Sequence, residues 1–147
     1  MKLLLDTNIL IDLIACRKPY VEPIRKLCAA SVFGDVQLWV NTQSFADAFY
    51  VLRKSASEPA VKQALLASLE FILPCGTYAA DLKPALESDW PDIEDYLIVA
   101  ASKHIKADCF VTRDVDLAAR SPIKALDVEG VLKLLEEEGY VYDAMDI

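Results

Sequence analysis

The 147-residue chain holds only four glycines, a single histidine and no two cysteines at C-x-x-C spacing. With so little glycine, no low-complexity run and no internal repeat, nothing marks a linker, and residues 1–147 are expected to form one domain. The cysteines stand at 16, 28, 75 and 109. That spacing excludes zinc knuckles and dithiol redox motifs, which need close pairs. A disulfide framework does not suit a chain of this size and apolar content, so four reduced, mostly buried thiols are expected. No uncharged apolar run approaches ~18 residues, which leaves no membrane span to expect. The apolar start, Met1 to Leu5, breaks at Asp6 without a basic lead or a small-residue cleavage site. It does not read as a signal peptide, and a soluble cytoplasmic protein is expected.

What is present is apolar content, 54% of the residues, and an uneven charge. That much apolar content argues against disorder and is enough for a sizeable core. Net charge is −8, yet positions 2, 17, 18, 25, 26, 53, 54 and 62 give residues 1–62 eight Lys/Arg against six acids. The remainder carries seven Lys/Arg against seventeen acids. Such asymmetry permits a basic rim beside an acidic centre, although an ordinary solvated acidic surface accounts for the second half equally well.

Short apolar runs alternate with helical patterns. Strands are predicted at Lys2–Leu5, Val36–Val40, near Ile72–Cys75, at Ala107–Val111 and at Ile123–Leu126. Helices are predicted over Asn8–Ala15, Tyr20–Phe33, Phe45–Lys54, Glu58–Ile72, around Ala79–Glu87, Ile93–His104 and Val128–Glu138. Gly34 and Gly139 end two of them, and Asn41 to Ser44 supply capping residues. The helix from Ile93 is apolar nearly all round and is expected to be largely buried. This alternation implies a three-layer α/β/α sandwich with a central, mostly parallel sheet. In such folds the site lies at the carboxyl ends of the strands, where the chain puts Asp6 and Asp114.

Two further acids stand in apolar surroundings. Asp47 lies within Phe45-Ala46-Asp47-Ala48-Phe49, and Asp95 opens the most apolar helix, in competition with Glu94 and Asp92. A buried carboxylate needs a partner or a cation, and no matching set of Lys or Arg is nearby in sequence. Two carboxylates ~4 Å apart repel by about 4 kcal/mol at an effective dielectric near 20. A bound divalent ion removes that cost. Oxygen ligands without His or Cys suit Mg²⁺ or Mn²⁺ rather than zinc. One or two such ions can activate water and stabilise the leaving oxygen of an in-line phosphoryl displacement.

These residues carry a resemblance. Leu3-Leu4-Leu5-Asp6-Thr7-Asn8-Ile9-Leu10 resembles the opening strand of PIN-domain ribonucleases, where the Asp begins the metal site. Asp92-Ile93-Glu94-Asp95-Tyr96-Leu97-Ile98-Val99-Ala100-Ala101 is similar to the family's third-acid helix, and Val111-Thr112-Arg113-Asp114 to its strand-end T-R-D element. Ser44 to Lys54 resembles the second-acid helix, in the subgroup whose motif ends in a tyrosine and an Arg-Lys pair. Most members carry glutamate where this chain has Asp47, one methylene shorter. The resemblance implies a hydrolase that cleaves single-stranded or structured RNA with Mg²⁺ or Mn²⁺. It also implies a homodimer and the role of toxin in a toxin–antitoxin pair, with an antitoxin protein as partner.

On that footing Asp6, Asp47, Asp95 and Asp114 are the expected catalytic metal ligands, with Asp92 as a helix cap. Neighbours on a helix point roughly 100° apart, so 94 and 95 do not readily share one ion. Thr7, Asn8, Thr112 and Asp116 are expected to orient or assist the ligands. Arg53, Lys54 and Arg113 are the expected RNA contacts. Each has a plainer alternative: Asp6 as an N-cap, Thr112 as a strand-end threonine, Arg113 as an exposed arginine. Trp90 and Tyr50 can stack on bases or simply pack, and His104 reads as a helix-end residue. Two rival functions remain. One is a PIN-like RNA- or protein-binding module with weak catalysis. The other is an aspartyl phosphatase or phosphoacceptor domain, disfavoured because haloacid-dehalogenase-type phosphatases want an aspartate where Asn8 stands.

Overall fold

Side chains along Lys2–Leu5 (β1) point alternately to opposite faces, yet Leu3, Leu4 and Leu5 are all buried, so both faces of the strand are covered. The computed structural model describes residues 1–146 and shows how. Four more strands, Gln37–Asn41 (β2), Ile72–Cys75 (β3), Cys109–Val111 (β4) and Ala125–Leu126 (β5), form a sheet in the order β3-β2-β1-β4-β5. Every pairing among them is parallel.

The helices are Thr7–Ile14 (α1), Val21–Val32 (α2), Thr42–Leu52 (α3), Glu58–Ser68 (α4), Leu82–Glu87 (α5), Ile93–His104 (α6), Val115–Arg120 (α7) and Val128–Glu137 (α8). Leu3, Leu5, Leu38, Val40 and Val111 face a core closed by α1, α2, α3, α4 and α8. Leu4 and Phe110 face a smaller core with Ile98 and Val99 of α6 and Leu117 of α7. The layers are therefore helix, sheet, helix, as expected. Cys28 and Cys109 are buried, Cys75 is half-buried and Cys16 is exposed; all four are free.

Several boundaries differ from expectation for local reasons. Helix α3 begins at Thr42, not Phe45, because Asn41 Oδ1 accepts from the Gln43 N–H at 2.9 Å and caps it early. Helix α4 stops at Ser68, and its last turns lead directly into β3. The segment around Ala79–Glu87 divides into a 3₁₀ turn, Ala79–Asp81, followed by α5. Helix α7 was not foreseen: six residues are too few to show a period, and Asp114 makes the helix by accepting from the N–H groups of Asp116 and Leu117. Helix α6 is less buried than its composition suggests. Ile98, Val99, Ala101 and Ser102 face inward, whereas Ile93 is 40% exposed at the end nearest the strand tips.

What positions a site is the strand order. The chain runs outward through β2 and β3 on one side of β1, then returns to place β4 and β5 on the other. The order reverses between β1 and β4, and the crevice beyond their carboxyl ends is where open α/β sheets bind ligands.

Candidate active site

Leu5 pairs with Val111, so the residues that follow, Asp6 and Thr112, leave adjacent strands side by side. The Asp6 N–H donates to the Val111 carbonyl at 2.9 Å, extending the ladder by one rung. Asp6 is 4% exposed. Its Oδ1 accepts from the Thr7 N–H at 2.8 Å, which caps α1, and its Oδ2 accepts from the Thr112 hydroxyl at 2.8 Å. Thr112 Oγ1 also accepts from the Asp114 N–H at 3.0 Å. The cap and ligand readings of Asp6 are thus compatible. Burial is the main cause that raises the Asp6 carboxyl above its ordinary range; the two hydrogen bonds oppose it and the Asp114 charge adds to it.

Asp92 caps α6 as expected, its Oδ1 accepting from the N–H groups of Glu94 at 2.9 Å and Asp95 at 3.3 Å. Asp95, in the first turn, is pushed up to about 6 by burial, then by the charges of Asp92, Asp6 and Asp114. Asp6, Asp95 and Asp114 therefore lie within one another's electrostatic field. Asp116 is exposed beside Asp114 on the first turn of α7.

Asp47 takes another neighbour. Its Oδ1 accepts from Gln43 Nε2 at 3.1 Å, while its buried Oδ2 has no donor. Glu94 stands against it, and the hydrogen bond that its carboxyl can donate to Asp47 only when protonated is the foremost cause pushing Glu94 up to about 8, with burial and the charges of Asp47, Asp92 and Asp95 behind it. Adjacent acids on α6 thus divide their attention: Glu94 faces Asp47, and Asp95 faces the strand-end pair. The sequence offers Glu94 as a rival of Asp95 for the ion, and nothing local points to its contact with Asp47.

The residues expected to assist and to bind RNA are distributed unevenly. Thr7 Oγ1 lies 2.7 Å from Ser44 Oγ, which ties the start of α1 to the start of α3. Asn8 is half-buried in the first turn of α1. Arg53 and Lys54 are exposed at the far end of α3, about 9 Å along the axis beyond Asp47. There Arg53 lies over the Tyr50 ring at 4.5 Å. Arg113 is exposed yet engaged by its own chain: its Nε donates to Asp12 Oδ2 at 2.9 Å and its Nη2 to Oδ1 at 3.3 Å. Its guanidinium also covers the Tyr20 ring at 4.4 Å. Asp12, fully buried, was missed in the sequence, where its signal was one acid in the apolar run Ile9-Leu10-Ile11-Asp12-Leu13. His104 is held by Asp81 at 2.8 Å and stacks on Tyr78, at the opposite end of α6 from the acids.

Among the described residues no three acidic, histidine or cysteine side chains stand close enough to cage an ion. The donor set nonetheless fits a hard divalent cation. It is all oxygen; Asp47 Oδ2 is buried and unpartnered; and none of Asp6, Asp95 and Asp114 forms a salt bridge among the described residues. The arrangement is a set of acids at the switch point whose mutual repulsion a bound cation would offset.

Comparison with known proteins agrees with this geometry. The PIN domain family model matches residues 2–116. No curated protein matches the sequence. The structure resembles a chain of VapBC2 from Rickettsia felis, solved bound to a promoter DNA fragment, with a TM-score of 0.66 and 19% identity over 86% of this chain and 98% of the other. It also resembles PAE2754 from Pyrobaculum aerophilum (TM-score 0.66, 19% identity, 93% and 90% covered). A third similar structure is VapC20 from Mycobacterium tuberculosis, a toxin that cleaves the sarcin–ricin loop (TM-score 0.62, 14% identity, 80% and 93% covered).

Proposed function

The chain belongs to the PIN domain family, and from that premise we propose that it is an Mg²⁺- or Mn²⁺-dependent endoribonuclease acting on single-stranded or structured RNA. The observation that carries this reading is the set Asp6, Asp95 and Asp114. Asp6 and Asp95 are raised by burial and by neighbouring acids, Asp114 among them; the Arg113 charge opposes this at Asp6, but none of the three forms a salt bridge among the described residues. Asp6, Asp95, Asp114 and Asp47 would hold the ion. When bound, it would offset their charge, activate a water and stabilise the oxygen leaving phosphorus. Thr112 and the Thr7 N–H keep both Asp6 oxygens aimed, and Asp114 is held by the helix it caps. The fold's likeness to VapC20, a toxin that cleaves the sarcin–ricin loop, supports RNA as substrate.

The same reading makes the protein the toxin of a toxin–antitoxin pair, acting in the cytoplasm as a homodimer under an antitoxin partner. Support comes from the fold, shared with a chain of the VapBC2 complex. No described helix is long and apolar enough to cross a membrane.

The test is RNA cleavage by the wild type in Mn²⁺ and in EDTA, beside Asp6→Asn. Loss of cleavage in both of the latter is expected. Activity that survives chelation and Asp6→Asn overturns the mechanism. The Asp47–Glu94 contact favours a second reading, a module that binds RNA or protein with weak metal affinity. Calorimetric titration with Mn²⁺ separates the two, because such a module shows no tight saturable site.

A further inference from the structure

A cleft of about 490 Å³ is lined by Asp92, Asp95, Asp114 and Asp116 together with Trp90 and Arg120. That volume lies in the range of roughly 300–1,000 Å³ that houses small organic ligands. Its acids belong to the site described above; Trp90 and Arg120 bring a different chemistry. We propose that these two residues seat one unpaired nucleotide beside the scissile phosphate, with its base on the Trp90 ring and its phosphate against Arg120. The proposal rests on the nuclease reading and adds to it the strandedness of the substrate at that position.

Trp90 is only half-buried, and its indole meets Tyr96 edge to face, with centroids 5.3 Å apart and planes at 80°. Tyr96 and the core around Leu4, Ile98 and Leu117 hold the ring on the sides that they touch, and the part left exposed lines the cleft. Arg120 ends α7, about 9 Å along the helix from Asp114. It is the only cation lining the cleft, amid Asp92, Asp95, Asp114 and Asp116, and among the described residues no carboxylate pairs with it. Arg113, the other arginine of this edge, is committed to Asp12.

The arrangement matches how single strands are held without sequence readout. An aromatic face accepts any base, and a neighbouring cation tracks the backbone. A phosphate entering this acidic crevice is repelled by the carboxylates and attracted by Arg120, which sets where the backbone lies. A base stacked inside a duplex shows no free face to Trp90, so the nucleotide there must be unpaired.

Trp39→Phe, a change at a residue that does not line the cleft, leaves Trp90 as the sole tryptophan. Its fluorescence is followed during titration with a single-stranded RNA decamer, and with the same decamer annealed as a duplex, each in Mg²⁺ and in EDTA. Saturable quenching by the single strand in Mg²⁺ is expected, with affinity for the duplex about tenfold weaker or less. Arg120→Ala should weaken single-strand binding at least severalfold, and Arg120→Lys should restore much of it. In the cleavage assay Trp90→Ala should raise KM about tenfold with kcat nearly unchanged, and Trp90→Phe should stay near the wild type. Circular dichroism shows which variants fold, and Arg120→Ala carries the test where Trp90→Ala does not. Equal quenching by both RNAs, no quenching, or an Arg120→Ala variant of unchanged affinity overturns the subsite. If the wild type cleaves and Trp90→Ala keeps its KM, the subsite fails alone. Should the decamer quench Trp90 without ever being cut, the nuclease reading fails and the subsite stands.

Discussion

The Thr112 hydroxyl donates to Asp6 Oδ2 at 2.8 Å while accepting from the Asp114 N–H at 3.0 Å, so one small side chain joins the two strand-end aspartates. Thr112 is 2% exposed, and its loss leaves a buried oxygen of Asp6 without its donor. Thr112→Val should therefore cost about 1–3 kcal/mol in urea unfolding and reduce RNA cleavage by at least tenfold. Thr112→Ser, which keeps the hydroxyl, should stay close to the wild type. A valine variant with unchanged stability and activity would reduce the threonine to a packing residue.

Arg113 serves Asp12. Asp12 is wholly buried and its pair with Arg113 is bidentate, so Arg113→Ala leaves that carboxylate with Arg17 alone, whose Nη1 stands 3.7 Å from Asp12 Oδ1. A loss of about 3 kcal/mol in unfolding free energy is expected, and Arg113→Lys, which cannot form the fork, should lose an intermediate amount. If Arg113→Ala unfolds like the wild type but binds RNA more weakly, Arg113 is a phosphate contact after all.

The acid row also predicts how stability follows pH. Glu94 is pushed up to about 8 and Asp95 to about 6, both above their unfolded values. Between about pH 4 and pH 8 the metal-free folded chain therefore holds more protons at these sites than the unfolded chain. Their contribution is complete below that window, falls as pH rises through it, and is gone above about 8. Melting in EDTA should show Tm dropping from pH 5 to pH 8, and Glu94→Gln should flatten the slope. Mn²⁺ should raise Tm more at pH 8 than at pH 5. A Glu94→Gln variant with the slope of the wild type contradicts the assignment.

Asp47 tests the reach of the second acid. Asp47→Glu adds the methylene that most family members have, and should tighten Mn²⁺ binding by roughly tenfold in calorimetry. Unchanged affinity would mean that Asp47 belongs to the Glu94 contact and not to the ion.

Much of this molecule is written in local pattern. Five apolar runs and the helices between them come from side-chain periodicity, which needs no knowledge of the rest of the chain. The strand-end positions of Asp6 and Asp114 follow in the same way, because a carboxylate that ends a dry strand must lie at the sheet edge. The capping role of Asp92 was equally legible, since a cap acts only on N–H groups two or three residues away.

Partnership was not legible. Nothing local distinguishes an Arg113 that meets phosphate from one that crosses to α1, 101 positions earlier in the chain, to neutralise Asp12. Only the reversal of strand order between β1 and β4 brings those two residues together. The division of Glu94 toward Asp47 and Asp95 toward Asp6 likewise depends on how α6 is rotated against α3 and the strand tips. A sequence by itself determines periodicity and caps because those interactions close within a few residues. Which acid faces which, and which cation is left free, is decided by packing between elements far apart in the chain.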